Sequence, residues 1–347
     1  MDAAKIIEKL YHEHNAPREE LTWLIENRRD DSARLLFERA GETARAHYGN
    51  KIFVRGLIEM TNFCRNDCLY CGIRRSNSAA QRYRLSKDDI MQCCKEGYAL
   101  GFRTFVLQGG EDMYYSDDMI VDIVNTIRTA YPDCAITLSL GEKERESYKR
   151  FYDAGANRYL LRHETSSPEH YAMLHPAELT LANRIRCLYD LKEIGYQVGC
   201  GMMVGSPYQT LENLVDDLIF IKKFDPQMVG MGPFIPHHDT PFAKEKPGTA
   251  ELTLFLLAIV RLMLPKVLLP ATTALGTIDD NGREEGVRAG CNVVMPNLSP
   301  LSVRKKYMLY DNKISTGDEA AEAIASLARR MKAIGYEVVT ERGDYKN

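Results

Sequence analysis

IFVRGLIEM, residues 52–60, is the stretch on which the fold turns. It is apolar, rich in β-branched residues, and too short to be a core helix, so it reads as a buried strand. The polar stretch TNFCRNDCLYCGIRRSN (61–77) follows at once. Seven similar runs follow at intervals: TFVLQGG (104–110), AITLSLG (135–141), RYLLRHE (158–164), QVGCGMMVG (197–205), MVGMGPFIP (228–236), VLLPATTAL (267–275) and NVVMPN (292–297). Amphipathic segments separate them, at 86–100, 117–130, 143–154, 180–195, 210–224, 249–263 and 281–289. Ser86 with Asp89, and Thr210 ahead of Glu212, supply helix-start chemistry. Eight strand–helix alternations predict an α/β fold, a complete (β/α)8 TIM barrel. An open doubly wound sheet is the alternative. Glu59, Gln108, Ser139, Glu164, Met203, Pro236, Thr272 and Met295 sit at the C-terminal ends of the runs. In a barrel these ends converge on one mouth, where barrel enzymes do their chemistry.

On either side of the barrel the pattern is helical. Leu21, Leu24 and Ile25, then Leu35, Leu36 and Ala40, recur at helical spacing, and Ala33–Tyr48 is rich in good helix formers. Residues 1–50 are expected to form an N-terminal helical cap, 51–311 the barrel, and 312–347 a C-terminal helix and tail. That helix covers 318–335 and stops at Gly335. The chain has 347 residues, 45% hydrophobic content and a net charge of −3, so it offers no basic face to nucleic acid or to an anionic membrane. No apolar run reaches the roughly 18 residues of a membrane span. The opening MDAAKIIEKLYHEHN lacks the apolar core of a signal peptide. A cytoplasmic location is the expectation.

Nine cysteines, an odd number without a leader, argue against a disulfide framework. Cys93, Cys94, Cys134, Cys187, Cys200 and Cys291 are scattered and read as small buried hydrophobes. Cys64, Cys68 and Cys71 stand together in the loop after the first strand, spaced C-x3-C-x2-C. A structural zinc site would want two paired ligand units and four ligands. A cubane Fe–S cluster is held by cysteine thiolates. With only three nearby, one iron stays open to a small molecule.

This loop, with aromatic Tyr70 just before the third cysteine, resembles that of the radical S-adenosylmethionine superfamily. The resemblance implies a [4Fe–4S] cluster on Cys64, Cys68 and Cys71. Its open iron is chelated by the amino and carboxylate groups of S-adenosylmethionine, which is cleaved to methionine and a 5′-deoxyadenosyl radical. It implies Tyr70 beside the adenine, and Gly109, Gly110 and Glu111 as the motif that contacts the methionine amino group. Ser139 and Glu164 would complete the cofactor-binding set, Glu164 accepting from ribose hydroxyls or the amine. Arg184 corresponds to an arginine that binds the cofactor carboxylate. Arg162 lies two residues before Glu164 and so shares its side of the strand. Facing the barrel interior, its charge needs relief from a bound anion or from Glu164 itself.

The resemblance narrows further. LQGGED followed by Tyr114 and Tyr115, TLSLGE, YLLRHET, MVGMGPFIPHHDTP, PATTALGT and NVVMPN are similar to stretches of the HydE family of [FeFe]-hydrogenase maturases, over about residues 50–311. That likeness implies a small organometallic iron–cysteine substrate carrying CO and cyanide. Other hydrogenase maturases would be transient partners, and a low-potential electron donor would reduce the cluster. The cavity residues it implies are Gln108, Thr137, Arg162, Met203, Met228, Thr272, Thr273, Met295 and Tyr307, with Ser139 bordering them. Some members carry a second cysteine group near the C-terminus; here 292–347 contains none, so one cluster is expected. A methylornithine-synthase-like or biotin-synthase-like enzyme is the alternative chemistry, and a non-catalytic Fe–S carrier the alternative class.

Overall fold

The computed structural model describes residues 1–314 and 320–346. Three helices lead: α1 (Ala3–Glu13), α2 (Arg18–Glu26) and α3 (Asp30–Tyr48). Each buries one stripe, such as Leu21, Leu24 and Ile25 of α2 or Leu36, Ala40 and Ala44 of α3.

The run 52–60 becomes two strands, β1 (Lys51–Val54) and β2 (Gly56–Thr61), interrupted at Arg55. Next come β3 (Thr104–Gly109), β4 (Ala135–Ser139), β5 (Arg158–Leu160) and β6 (Gln197–Cys200). They are followed by β7 (Met203–Val204), β8 (Met228–Val229), β9 (Gly232–Pro233), β10 (Val293–Val294) and β11 (Glu337–Val339). A six-stranded parallel sheet runs β2-β3-β4-β5-β6-β8. Its strands are buried along nearly their whole length, as parallel strands covered on both faces must be. Beyond β8, isolated parallel bridges join Met228 to Leu268, Pro270 to Val293, and Leu57 to Asn297. β1 lies between β10 and β11, and β7 pairs with β9.

The intervening helices are α4 (Lys87–Ala99), α5 (Asp117–Ala130), α6 (Arg145–Asp153), α7 (Pro168–Leu174), α8 (Leu181–Ile194) and α9 (Leu211–Phe224). After them come α10 (Ala250–Met263), α11 (Thr273–Ile278), α12 (Gly282–Arg288), α13 (Leu301–Arg304) and α14 (Ala320–Ala333). Ser86 and Asp89 form a capping box on α4; on α9 the partner of Thr210 is Asn213 rather than Glu212. Two expectations change. The run 267–275 does not stay extended: Pro270 lacks an N–H to donate, and the Thr272 hydroxyl accepts from Leu275 N to start α11. α10 is not amphipathic in its setting, since every residue from Thr253 to Met263 is buried; α3 and α1 cover its outer face.

Gly335, at φ +85°, follows α14 as expected, whereas the start of that helix at Asp318 lies outside the described residues. The chain then adds β11 and a tail that lies against the N-terminal ends of the strands. Arg158, which opens β5, donates to the carbonyls of Arg342 and Gly343 (both 3.1 Å) and to Asp344 Oδ1 (2.7 Å). Thr104, which opens β3, donates to Arg342 O (2.9 Å). One end of the sheet is thus stoppered, and the strand C-termini are left as the functional end. Among the described residues no helix is long and apolar enough to cross a membrane.

Candidate functional site

The cysteine loop leaves β2 and is pinned by side chains that have no other task. The guanidinium of Arg82 donates to the carbonyls of Asn62, Ile73 (2.8 Å), Arg74 (2.6 Å) and Asn77 (3.0 Å). Asp67 accepts from Arg74 Nε (2.7 Å) and from Ser76 N and Oγ. Cys64, Cys68 and Cys71 remain half-buried, while the six scattered cysteines are all buried. Burial, then the charge of neighbouring thiolates, pushes the Cys68 thiol up, and Cys71 rises to about 12. Three thiolates in one poorly solvated spot need a cationic partner. Sulfurs 2.3 Å from one zinc stand roughly 3.8 Å apart. Among the described residues the one group of three or more His, Cys, Asp or Glu ligand atoms all within 4.8 Å is His237, His238 and Asp239. The three cysteine sulfurs do not form such a group, so at least one pair stands farther apart than a single ion would draw them.

Gly109 and Gly110 end β3 against this loop. A Cβ on Gly110 would lie 2.2 Å from Phe63 O and 2.8 Å from Cys64 Cβ, so only glycine lets the two backbones meet. Glu111 turns its buried carboxylate beneath Gly141, accepting from Glu142 N (2.9 Å) and Arg65 Nε (3.0 Å). Each oxygen keeps capacity for a further donor. Glu142 was not anticipated. It accepts from Arg184 Nε (2.6 Å) and from Asn183 Nδ2 (2.6 Å), while Arg184 Nη1 donates to Arg162 O (2.8 Å). Its signal was present in the sequence: the Gly141–Glu142 pair at the exit of β4 repeats the Gly110–Glu111 pair at the exit of β3.

Glu164 occupies the left-handed region, φ +65°, which a non-glycine residue enters at a cost of order 1 kcal/mol. Its carboxylate accepts from Arg162 Nη2 (2.8 Å). Arg162 and Glu164 thus lie together, as their spacing predicts. Tyr70 donates its hydroxyl to His175 Nε2 (3.1 Å). Met203, expected in the substrate cavity, packs instead with Leu174, Phe234 and Phe242 against Leu69 and Tyr70. His163, on the opposite side of its strand from Arg162, is fully buried beside Phe220 and Asp217.

The remaining cavity candidates fall into two levels on the inner face of the sheet. Strand register sets Glu59, Gln108 and Ser139 side by side. Gln108 Nε2 donates to the Tyr307 hydroxyl (3.3 Å). Glu59 is engaged by Asn297 Nδ2 (2.9 Å) and by Lys313, which also donates to Tyr307 O (2.9 Å) and sits 4.9 Å over the Tyr307 ring. One level deeper, Met228 and Met295 pack with Phe53, Leu268 and Val293. Here Arg55, another residue the sequence did not flag, is 5% exposed. Its Nη1 reaches Met228 Sδ (3.0 Å), but Nε and Nη2 have no partner. Thr137 Oγ1 and Arg162 Nε are likewise buried and unpartnered. Thr272 and Thr273 are half-buried at the start of α11, the first spending its hydroxyl on the helix cap. None of these residues lines the cleft of about 840 Å³ beside the cysteine loop, which Gly72, Gln81, His237 and Lys306 help to wall.

The pair of Glu59 and Lys313 is nearly inaccessible, at 1% and 7% side-chain exposure. Lys313→Met leaves a buried carboxylate that, among the described residues, only Asn297 answers. Unfolding stability is expected to fall by about 3 kcal/mol. Anaerobic denaturant unfolding of the cluster-loaded protein measures this, and a loss below about 1 kcal/mol would mean that solvent reaches Glu59.

The comparisons with known proteins bear on this geometry. The sequence model of the Radical SAM superfamily matches residues 58–221. The [FeFe] hydrogenase maturase subunit HydE of Thermotoga maritima is 46% identical over 300 residues, 86% of this chain and 85% of that one. The chain belongs to the HydE family of radical S-adenosylmethionine proteins. As a HydE-family member it is a radical enzyme whose cofactors are a [4Fe–4S] cluster and S-adenosylmethionine, and the three-thiol set suits that cluster. A 3-methylornithine synthase of Methanosarcina acetivorans is 28% identical over 97% of this chain and 94% of that one. The crystal structure of methylornithine synthase (PylB) superposes with a TM-score of 0.83 at 24% identity, covering 96% of this chain and 97% of that one. That likeness establishes the α/β fold shared by HydE-family and PylB chains.

Proposed function

We propose that this chain generates a 5′-deoxyadenosyl radical and directs it at a small anionic iron–cysteine complex bearing CO and cyanide, toward the two-iron subcluster of [FeFe]-hydrogenase. The observation that carries the reading is the set of buried, unpartnered donors on the inner face: Arg55 Nε and Nη2, Thr137 Oγ1 and Arg162 Nε. Buried donors without partners are costly, and a guanidinium most of all. A ligand that accepts hydrogen bonds and carries negative charge removes that cost, and cyanide and carboxylate groups do both. Met228 and Met295 add a polarizable apolar wall that offers no thiol hydrogen to a radical. We read the bridges at Leu268, Pro270–Val293 and Leu57–Asn297 as closing the sheet into a complete barrel, with 1–50 as its cap and 312–347 as its C-terminal helix and stopper.

When bound, the cluster supplies the electron that cleaves S-adenosylmethionine. The protein's own groups hold and orient. Glu111 and Glu164 would offer carboxylate oxygens to the amine and the ribose, Arg184 would offer its guanidinium to the carboxylate, Tyr70 would flank the adenine, and Ser139 would complete the cofactor-binding set. A low-potential donor reduces the cluster, and other maturases deliver the substrate and remove the product. Incubation with S-adenosylmethionine, dithionite and the iron complex, followed by hydrogenase maturation, tests the whole reading. 5′-Deoxyadenosine without maturation would favour a biosynthetic mutase, and no 5′-deoxyadenosine a carrier.

One cluster is expected per chain, because 292–347 holds no cysteine and the six scattered thiols are buried apart from the loop. Anaerobic reconstitution should give about four irons per chain, the content of one cubane. A count near eight would require a second site.

A further inference from the structure

We infer that His175 fixes the orientation of the Tyr70 ring and so shapes the adenine side of the cofactor site; it is a positioning residue. The inference rests on the proposed placement of adenine beside Tyr70. His175 caps the C-terminal end of α7 and is 3% exposed. Its Nδ1 lies 2.9 Å from Tyr171 O, an acceptor, so Nδ1 carries the proton. Nε2 is then a lone pair, and the Tyr70 hydroxyl at 3.1 Å donates to it. The imidazole cannot turn away, because it stacks on the Tyr171 ring at 3.9 Å and 19°. The Tyr70 ring meets it edge-on, at 5.4 Å and 90°.

The backbone repeats the attachment one residue earlier. Leu69 N donates to Leu174 O (3.0 Å). Two consecutive loop residues, Leu69 and Tyr70, are therefore moored to two consecutive residues at the end of α7, Leu174 and His175. Cys68 and Cys71 flank this mooring. Leu174, Met203, Phe234 and Phe242 supply an apolar bed for the ring. Among the described residues the hydroxyl's one hydrogen bond is to His175, and because a phenolic O–H favours the plane of its ring, that bond directs the ring about its axis. A ring that is already oriented spends no rotamer entropy when a flat ligand stacks on it.

The measurement is S-adenosylmethionine affinity of cluster-loaded protein, read from the change in the reduced cluster's EPR signal during titration, with iron content as the check on integrity. Tyr70→Phe and His175→Leu remove the same bond from its two ends. Each should weaken binding about five- to tenfold, the scale of one hydrogen bond. The double variant should be no weaker than either single, as residues acting through one contact behave. His175→Gln, which keeps an acceptor, should recover most of the loss. Wild-type affinity in Tyr70→Phe, or additive losses in the double variant, would overturn the inference. Tyr70→Phe, which spares α7, decides the matter even if His175→Leu fails to take up iron. Wild-type affinity in Tyr70→Ala would remove the adenine placement itself, whereas weak binding there with full affinity in His175→Leu would sink the positioning role alone.

Discussion

Cys68→Ser yields a folded protein that holds no intact cluster and makes no 5′-deoxyadenosine. The serine hydroxyl is a poor substitute for a thiolate, because iron in these clusters is held by soft sulfur. Two remaining thiols cannot retain a cubane that already has one iron open. The fold should not notice. Cys68 is half-buried in a loop whose shape is kept by hydrogen bonds of Arg82, Asp67 and Asn62, none of them to the thiol. In the metal-free protein burial keeps the Cys68 thiol protonated, so serine replaces one neutral group by another. The stability change should stay within about 0.5 kcal/mol, as for surface substitutions away from special features. Circular dichroism, thermal unfolding of the metal-free protein, iron analysis and chromatography of the adenosine product measure the four quantities. Near-normal cleavage of S-adenosylmethionine in this variant would contradict the cluster assignment. The six buried cysteines make the natural contrast, since Cys200→Ser puts a hydroxyl into an apolar core and should cost stability while leaving the cluster ligands intact.

The sheet was legible because its strands are near-continuous apolar runs, and a parallel strand covered on both faces has no other way to read. All seven expected helices between the strands appeared within two residues of their bounds; Ser86, Ser116, Thr180, Thr210 and Thr249 cap five of them, while α6 and α12 start without a side-chain cap. What escaped were short elements held by distant partners. β11 is three residues long and exists by pairing with β1, some 280 residues earlier in the chain. α7 is two turns whose last carbonyl serves the cysteine loop.

In the site, residues inside recognisable motifs were visible, and those that act through a motif residue were not. Glu111 was found and Glu142, which donates its N–H to it, was missed; Tyr70 was found and His175 missed. Arg55 was hidden inside a strand run, where a lone arginine looks like an exposed edge residue until the curvature of the sheet turns it inward. Lys313 was set beyond the barrel at 311, yet its ammonium reaches Glu59 at the end of the first stave.

Arg162→Lys separates the substrate site from a structural ion pair. In the structure Arg162 makes the ion pair and has a donor to spare. Its Nη2 bonds Glu164, and its Nε is buried without a partner. Lysine keeps the charge and can still reach Glu164 as a point donor, so the ion pair survives in weaker form. It loses the planar fork, and with it the second, differently directed donor. Cofactor affinity should therefore change little: Glu164 stays charged, and Arg184 keeps its bond to the residue-162 carbonyl, which is backbone. The substrate should suffer. An anionic complex held, as proposed, by charge-assisted hydrogen bonds from two guanidinium groups and a threonine would lose one directed bond. Maturation in vitro is expected to fall by at least about tenfold, equivalent to about 1.4 kcal/mol. The deciding measurement is a pair on one protein, S-adenosylmethionine affinity and hydrogenase maturation. Loss of maturation with affinity intact is the expected result. Parallel loss of both would reduce Arg162 to the partner of Glu164, and would shift the burden of binding the anion onto Arg55 and Thr137, the two unpartnered groups one level deeper in the sheet.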